Sequence, residues 1–172
     1  MNQNSPDFPL SGTEALLSVF RNHASGITII TSRTTEGEPI GFTASSITSL
    51  GSNPPLVSMN IAQGSSSYEH MSPGTKVAIH TMDENTVDLA IRFAGPKEQR
   101  FSGDEQVGPF ELPILECPSV LIGTVRERFE VEKNAVLVIA AELASEEKVA
   151  NRPLVYFQRG YHVIGDRIAD NS

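Results

Sequence analysis

The sequence contains one cysteine, Cys117, so the chain cannot form an internal disulfide. A single cysteine is typical of proteins in a reducing compartment, so we expect a cytoplasmic protein. The opening residues, MNQNSPDFPL, lack the basic and apolar regions of a secretory signal peptide, which agrees with that expectation. No apolar run approaches the roughly 20 residues that cross a bilayer, so we expect no membrane partner.

Positive charge is also scarce in this chain. It has 13 Lys and Arg against 21 Asp and Glu, for a formal net charge of -8. A binder of nucleic acid needs a basic face to neutralise phosphates, and no dense run of Lys and Arg is present. We therefore expect no nucleic-acid partner.

The common catalytic and metal-binding motifs are missing as well. There is no G-x-S-x-G elbow and no G-x-x-x-x-G-K-[ST] loop, and no pair of carboxylates stands out as an acid/base dyad. The four histidines form no HxxxH or HxH pair, and Cys117 has no CxxC partner, so we expect no metal site. Cys117 precedes a predicted strand and fits a small core residue better than a nucleophile.

What is present predicts a mainly β fold. With 172 residues, 39% of them apolar, the chain can bury a core as one domain. We expect a tail over 1–11, a domain over 12–166 and a tail over 167–172. The domain is predicted to be a small antiparallel β-barrel of six or seven strands with three short helices outside it. The predicted strands cover 27–33, 42–50, 54–61, 75–82, two strands within 119–145 and two within 153–165.

Capping signals place the three helices. The first covers 11–26, with Ser11 or Thr13 as its cap and Gly26 as its stop. The second opens on the serines of 65–74. The third covers 83–95, with Asp83 as its N-cap and Gly95 just past its end. A long surface loop follows over 96–114, and a loop of that length is often functional.

The stretch GFTASSITSLGSNPPLVSMNI, residues 41–61, is unusually rich in hydroxyl side chains. A loop of small residues lets backbone N–H groups approach a flat ligand, while hydroxyls bond its polar rim. The serines 65–67, at the start of a predicted helix, favour a phosphate, and Arg92 or Lys97 would complete its site. These parts suit a planar polar ring with a phosphate tail. The alternative is an ordinary hairpin whose hydroxyls satisfy local backbone groups.

Three stretches together resemble the flavin reductase family, the small FMN-binding split-barrel proteins. They are GFTASSITSLGSNPPLVSMNI, LAIRFAGPKEQRFSG and RPLVYFQRGYHVIG, in the family's order, and the likeness covers about 18–165. The resemblance implies FMN as cofactor, with FAD possible, and NAD(P)H as co-substrate. It also implies a homodimer that is the reductase component of a two-component flavin-dependent monooxygenase, supplying reduced flavin to its partner.

The resemblance also implies roles for individual residues. The ring and ribityl chain would lie along Thr43, Ala44, Ser45 and Ser46, and Met59, Asn60 and Ile61 would border the ring. The phosphate would be held by Ser66 and Ser67. The phosphate end would be reached, or the site closed, by Arg92, Arg100 and Phe101.

The sequence departs from the family at one motif. Many members carry G-D-H on the penultimate hairpin, where the histidine helps to place the nicotinamide. Here Lys133, Asn134 and Ala135 stand instead, and Ala140 replaces a later glycine. The nearest substitute residues are His80 and His162, each with a structural role as the alternative. The departure leaves open a flavoprotein reduced by a protein partner, or a non-enzymatic flavin or haem binder.

Overall fold

A computed structural model describes residues 7–103, 105–145 and 152–165. The predicted tail 167–172 and residues 1–6 of the other tail lie outside this part. The strands are β1 (Ser25–Gly26), β2 (Thr28–Arg33), β3 (Pro39–Ala44), β4 (Thr48–Ser52), β5 (Pro55–Ala62), β6 (Lys76–Thr81), β7 (Gln106–Val107), β8 (Pro113–Ile114), β9 (Val120–Val131), β10 (Asn134–Ala144), β11 (Leu154–Phe157) and β12 (Gly160–Val163). The helices are α1 (Gly12–Phe20) and α2 (Val87–Ala94), with 3-10 turns at Tyr68–His70, Lys97–Gln99 and Pro109–Glu111.

The main layer is a seven-stranded sheet in the order β3-β2-β6-β9-β10-β5-β4, and all its pairs are antiparallel. A second sheet has the order β1-β11-β12, and β7 pairs with β8. β2 and β3, β9 and β10, and β11 and β12 each form an antiparallel hairpin. The mainly β antiparallel fold is therefore confirmed, although β1, β7 and β8 are too short for the sequence pattern to indicate.

Both faces of the central strands are covered. Ile29 and Ile30 are neighbours on β2, so their side chains point to opposite faces, and both are fully buried. Ile30 packs in a cluster with Met59, Tyr68 and residues of β6 and β10. Ile29 packs in a second cluster with Phe93 of α2 and residues that lead into β9. The site described below is built around β3, which forms one edge of this doubly covered sheet.

The hairpin of β9 and β10 is the longest element of the sheet. Its turn is at Glu132 and Lys133, where Glu132 has a positive φ of 53°. The register shifts twice, between Val138 and Ile139 and between Ala141 and Leu143, and such irregularities bend a strand pair. β10 pairs with β9 along one side and with β5 along the other.

The predicted bounds of the first and third helices were partly wrong. The first helix ends at Phe20 rather than at Gly26, which lies in β1 opposite Val155. The side-chain amide of Asn22 donates to the Ser18 carbonyl at 3.2 Å, which closes the helix early. Asp83 is not the N-cap of α2, because the helix begins at Val87. The prediction of Gly95 just past its end is confirmed.

Three other predicted elements also differ from the structure. The predicted strand 42–50 is two strands, because the chain leaves the sheet after β3 and re-enters as β4 beside β5. The predicted helix 65–74 is one 3-10 turn at Tyr68–His70. The predicted loop 96–114 contains two 3-10 turns and the β7–β8 pair.

Membrane-crossing helices and metal-binding clusters are both absent from the described residues. No helix among them is long and apolar enough to cross a membrane. No group of three or more His, Cys, Asp or Glu in the same residues could hold a metal ion.

Candidate functional site

Arg100 is held in one position by backbone carbonyls from two segments. Its Nη1 donates to the Gly41 carbonyl at 2.6 Å and to the Ser66 hydroxyl at 3.1 Å. Its Nε and Nη2 donate to the Gly95 carbonyl at 3.2 and 2.9 Å. Partial burial lowers the pKa of the guanidinium from its ordinary value, but arginine stays charged in proteins. A fixed cation therefore stands between β3 and the serine segment.

Glycine is the only residue type that fits at position 41 of β3. A Cβ there would lie 2.7 Å from the Ile30 carbonyl oxygen and 2.9 Å from Cε1 of Phe93. It would also come within 3.2 Å of Cζ of Phe101. The rings of Phe93 and Phe101 meet edge to face, with centroids 5.1 Å apart. Phe101 is thus fixed beside Arg100 by close packing against a bare stretch of β3.

A second group of predicted residues lies just past the end of β3, where the chain comes close to β5. Ser46 joins the two segments, because its hydroxyl accepts from the Asn60 N–H at 3.0 Å and contacts the Asn60 carbonyl at 3.3 Å. Asn60 and Ser45 are exposed, whereas Ala44 is buried. The Thr43 hydroxyl donates to the Ala90 carbonyl of α2 at 2.8 Å. The segment is therefore tied down on both sides with a polar outer surface.

Met59 and Ile61 are placed differently from the prediction. Both side chains are buried in the core cluster that also holds Ala44 and Tyr68. Successive residues of a strand point to opposite faces, so Asn60 alone of the three presents its side chain outward. A ligand on the outer surface can meet Met59 and Ile61 only through their backbone.

Two polar atoms of predicted site residues are buried without a partner. The Ser67 hydroxyl and Nε of Arg92 make no hydrogen bond within the part of the chain that the structure describes. Burying such a group unsatisfied costs about 1–3 kcal/mol. Arg92 is held nearby, since its Nη1 donates to the Ser102 hydroxyl at 3.1 Å. These atoms are available donors for an anionic ligand that reaches the site.

A cavity of about 330 Å³ adjoins Arg100. Three residues that the resemblance assigns to the site line it, Ser66, Arg100 and Phe101, together with Lys97, which the sequence also offered for the phosphate. The remaining lining residues are Thr34, Glu38, Pro39, Ile40, Gly41, His70 and Glu98. The predicted ring-binding residues 43–46 and 59–61 do not line this cavity, so it lies beside the phosphate end of the predicted site.

The structure thus brings the predicted residues together in two groups along β3. One group is Ser66, Arg100 and Phe101: Arg100 bonds both Ser66 and the Gly41 carbonyl, and Phe101 lies against Gly41. The other is Ser46 and Asn60 beside Ala44 and Ser45. The helix expected to present its N-terminus to a phosphate is a single 3-10 turn.

Sequence reasoning missed an ionic cluster behind the serine segment. Arg128 lies over the Tyr68 ring, with Cζ 4.2 Å from its centroid, and donates to the Tyr68 and Met71 carbonyls at 2.7 and 2.9 Å. Glu130 pairs with Arg128 at 2.7 Å and accepts from the Tyr68 hydroxyl. The hydrogen bond to Glu130 raises the pKa of Tyr68. The cluster holds the 3-10 turn against β9. Its only signal in the sequence was that Arg128 and Glu130 are two residues apart on a strand and so share a face.

His80 is a structural residue by its geometry. It is fully buried, its Nδ1 lies 3.0 Å from the Ile29 carbonyl and its Nε2 lies 3.2 Å from the Leu115 N–H. Both ring nitrogens are therefore engaged by the backbone, with Nδ1 as donor and Nε2 as acceptor. His162 is exposed on β12, where its ring meets that of Phe157 edge to face at 5.9 Å.

The burial of His80 predicts a pH dependence of stability. Desolvation lowers the pKa of His80 from 6.5 to about 4 in the folded protein, so the unfolded chain binds the proton more readily between these values. Stability is therefore expected to fall as the pH drops from 6.5 to 4, by about 3 kcal/mol at roughly 1.4 kcal/mol per pH unit. Urea unfolding at several pH values measures this fall.

The matched variant is His80→Asn, which keeps a polar amide but removes the titrating group. Between pH 6.5 and 4, its free energy of unfolding should fall by about 3 kcal/mol less than that of the wild type. Equal slopes in the two proteins would contradict the assignment of that pH dependence to His80.

The chain matches the flavin reductase like domain over residues 20–165. It is 32% identical to an NADH:FMN oxidoreductase from Rhodococcus erythropolis, over 84% of this chain and 78% of that protein. It is also 32% identical to a probable flavin reductase from Rhizobium meliloti, over 86% of this chain and 47% of that protein. The chain thus spans about half the length of that relative.

A solved structure agrees with the sequence comparison. The fold superposes on a flavin reductase domain protein from Arthrobacter with a TM-score of 0.83 and 33% identity. That superposition covers 91% of this chain and 98% of the other. The expected split-barrel fold is thereby confirmed. The chain belongs to the flavin reductase like domain family.

Proposed function

We propose that the protein is an NAD(P)H-dependent flavin reductase that binds FMN at the site along β3. The observation that carries this proposal is Arg100, a cation held against Gly41 and beside Ser66, one strand segment away from the polar surface at Ser46 and Asn60. A phosphorylated ring needs an anion-binding group and a ring-binding surface at a fixed separation. The family to which the chain belongs supports the same reading.

The residues present fit a flavin mononucleotide. Ser66 and Arg100 would hold the phosphate, and the unpartnered hydroxyl of Ser67 would add a donor. The backbone of residues 44–46 and the side chain of Asn60 would border the ring. Bound flavin supplies the acceptor for a hydride from the nicotinamide. The protein's own task is to hold the ring still, leave one face open and exclude water from the other.

The segment that replaces the family's G-D-H lies next to the predicted ring surface. Asn134 pairs with Ala62 and Ala135 pairs with Ile61 at the end of β5. His80 offers no ring nitrogen to a substrate, because both nitrogens bond the backbone. We propose that the nicotinamide is placed by stacking and by polar groups of this turn, including the Asn134 amide. Hydride transfer needs the reacting atoms about 3–3.5 Å apart, and stacking can provide that distance.

The test is oxidation of NADH and NADPH by purified protein with FMN, followed at the nicotinamide absorbance band. Rapid FMN-dependent oxidation of at least one nucleotide is the expected result. Binding is measured separately by quenching of FMN fluorescence, so that a missing cofactor and a missing reaction can be told apart. FMN that binds but is not reduced by either nucleotide would contradict the reductase assignment.

The replaced G-D-H segment favours one second candidate. In that reading the protein is a flavoprotein that receives electrons from a protein partner rather than from a nicotinamide. Its signature is flavin that binds, accepts electrons from dithionite and stays oxidised with NADH and NADPH. The two candidates therefore predict opposite results in one measurement: bound flavin is reduced by NADH or NADPH in the first and stays oxidised in the second.

We also propose that the protein works as a homodimer in the cytoplasm and passes reduced flavin to a monooxygenase. The dimer is supported by α1, which has no buried residue although Leu16, Leu17, Val19 and Phe20 belong to it. An isolated helix of this length is unstable in water, so its apolar side chains need a surface to cover them. The monooxygenase partner rests on family membership.

A further inference from the structure

We infer that Arg128 of β9 is a positioning residue for the flavin phosphate, and that through it the protein selects phosphorylated flavins over riboflavin. This inference rests on the proposed function, in which Ser66 and Arg100 hold the phosphate. Arg128 itself does not touch the ligand in this scheme. It acts through the serine segment, residues 65–67, by fixing the backbone that carries the Ser66 hydroxyl.

The end of the serine segment is anchored by Arg128. Its Nη1 donates to the Tyr68 and Met71 carbonyls at 2.7 and 2.9 Å, and its Cζ lies 4.2 Å from the centroid of the Tyr68 ring. The Tyr68 N–H in turn donates to the Ser65 carbonyl at 3.0 Å. Hydrogen bonds from a charged donor are stronger than neutral ones, so this contact fixes the place where the segment ends.

The start of the serine segment is anchored to the same hairpin. The Gln63 N–H donates to the Lys133 carbonyl at 2.9 Å, at the turn between β9 and β10. The Ser65 N–H donates to the carbonyl of Ala62, which pairs with Asn134 of β10. The β9–β10 hairpin therefore holds both ends of the segment, and Arg128 is the side chain through which it holds the second end.

Arg128 is held in place by its own neighbours. Its side chain is mostly buried, and its Nε pairs with the Glu130 carboxylate at 2.7 Å. The same carboxylate accepts from the Tyr68 hydroxyl, and Tyr68 is buried in the core cluster. Glu130 is exposed, and exposed ion pairs contribute little. We therefore expect a smaller effect from the loss of Glu130 than from the loss of Arg128.

Between the two anchors lies the group that would meet the phosphate. The Ser66 hydroxyl accepts from Nη1 of Arg100 at 3.1 Å, so a hydroxyl and a guanidinium converge on one place. A segment that is already in position needs no ordering when an anion arrives, and such ordering costs affinity. Riboflavin has no phosphate, so its binding gains nothing from this arrangement.

The experiment measures the dissociation constants of FMN and riboflavin by flavin fluorescence, in wild type and in Arg128→Met. The wild type should bind FMN at least about tenfold more tightly, because a hydrogen bond to a charged group contributes at least that factor. In Arg128→Met, FMN should bind about tenfold more weakly, and riboflavin about as in the wild type. Arg126→Met, which removes an exposed arginine two residues earlier on β9, is the matched control and should change neither constant.

Amide hydrogen exchange measures the order of the serine segment directly. In Arg128→Met the Tyr68 N–H should exchange faster than in the wild type, while the amides of β2 should keep their wild-type rates. A general loss of stability would instead speed exchange in β2 as well, and would weaken the binding of FMN and riboflavin together.

Two milder variants decide the result if Arg128→Met does not fold. Arg128→Lys keeps the charge but lacks the planar guanidinium that pairs with Glu130 while bonding two carbonyls, so its FMN affinity should be intermediate. Glu130→Gln changes an exposed residue and removes the charge that holds Arg128. It should weaken FMN binding by about twofold to fivefold and leave riboflavin binding unchanged.

The outcomes that overturn the inference are distinguishable from a failure of the proposed function. Equal weakening of FMN and riboflavin binding in Arg128→Met would make Arg128 a residue of the scaffold only. An unchanged FMN constant in every folded variant of Arg128 and Glu130 would also reject its positioning role. A wild type that binds FMN and riboflavin equally would reject selection for the phosphate. In these cases the flavin site stands, whereas a wild type that binds neither flavin would reject the proposed function itself.

Discussion

Replacement of Arg100 by methionine is expected to weaken FMN binding about tenfold to a hundredfold. A hydrogen bond to a charged group contributes about 1.5–3 kcal/mol, and each 1.4 kcal/mol is a factor of ten in affinity. Methionine keeps much of the length of the side chain and removes the cation that lies between Gly41 and Ser66. Quenching of flavin fluorescence measures the dissociation constant directly.

The controls for this experiment separate charge from folding. Arg152→Met removes another arginine, one that pairs with Glu84 far along the chain, and should leave FMN affinity unchanged. Arg100→Lys keeps the charge but cannot reproduce the fork that bonds both Gly41 and Gly95, so its affinity should lie between those of wild type and Arg100→Met. An Arg100→Met protein with wild-type FMN affinity would remove the anion-binding role.

Substitution of Phe20 by glutamate is expected to convert the proposed dimer to a monomer. Phe20 is 61% exposed on α1, and neighbouring Val19 is 66% exposed, so the described chain leaves this surface uncovered. Burial of one large apolar side chain contributes about 1.5–3 kcal/mol, and a symmetric dimer carries the change twice. The dimer dissociation constant should therefore rise by at least about a hundredfold. Light scattering at micromolar concentration gives the mass.

The matched control is Val107→Glu, which places the same charge at a 72% exposed apolar residue outside α1. It should keep the mass of the wild type. If Phe20→Glu keeps that mass as well, α1 is not part of the contact between subunits. A wild-type protein that is already a monomer would contradict the dimer itself.

Local signals in the sequence were sufficient for much of the fold. The strand 27–33 is a short run of β-branched residues, and it forms β2 at nearly the predicted bounds. The hairpin of β9 and β10 turns at Glu132 and Lys133 as predicted, because a polar turn separates two apolar alternations. A short strand and a hairpin turn depend on residues that are neighbours in sequence, so the sequence pattern is enough to predict them.

Features that depend on distant contacts could not be predicted in this way. The strand 42–50 breaks after Ala44, because Ser46 bonds the backbone of Asn60 and the next segment pairs with β5. The serine helix is reduced to one turn, and Arg128 donates to the Tyr68 and Met71 carbonyls at its end. Neither partner is near in sequence, so local propensity had no information about them.

The same distinction applies to the site. The family resemblance indicated Arg100 and Ser66, but nothing in the sequence indicated that Arg100 would bond the Gly41 carbonyl, 59 positions away. The resemblance also assigned Met59 and Ile61 to the ring border, whereas the pleat of β5 turns both side chains into the core. The sequence predicts that side chains alternate between the two faces of β5. Which face is buried depends on the assembled sheet.

The anchoring of Arg100 has a consequence for how a ligand arrives. Long side chains ordinarily lose rotational freedom when they grip a partner, and that loss weakens association by about 0.5–1.5 kcal/mol for each. Here the carbonyls of Gly41 and Gly95 already hold the guanidinium in place. The side-chain entropy of Arg100 is therefore lost during folding. In the proposed site, an anion would meet a charge that needs no rearrangement.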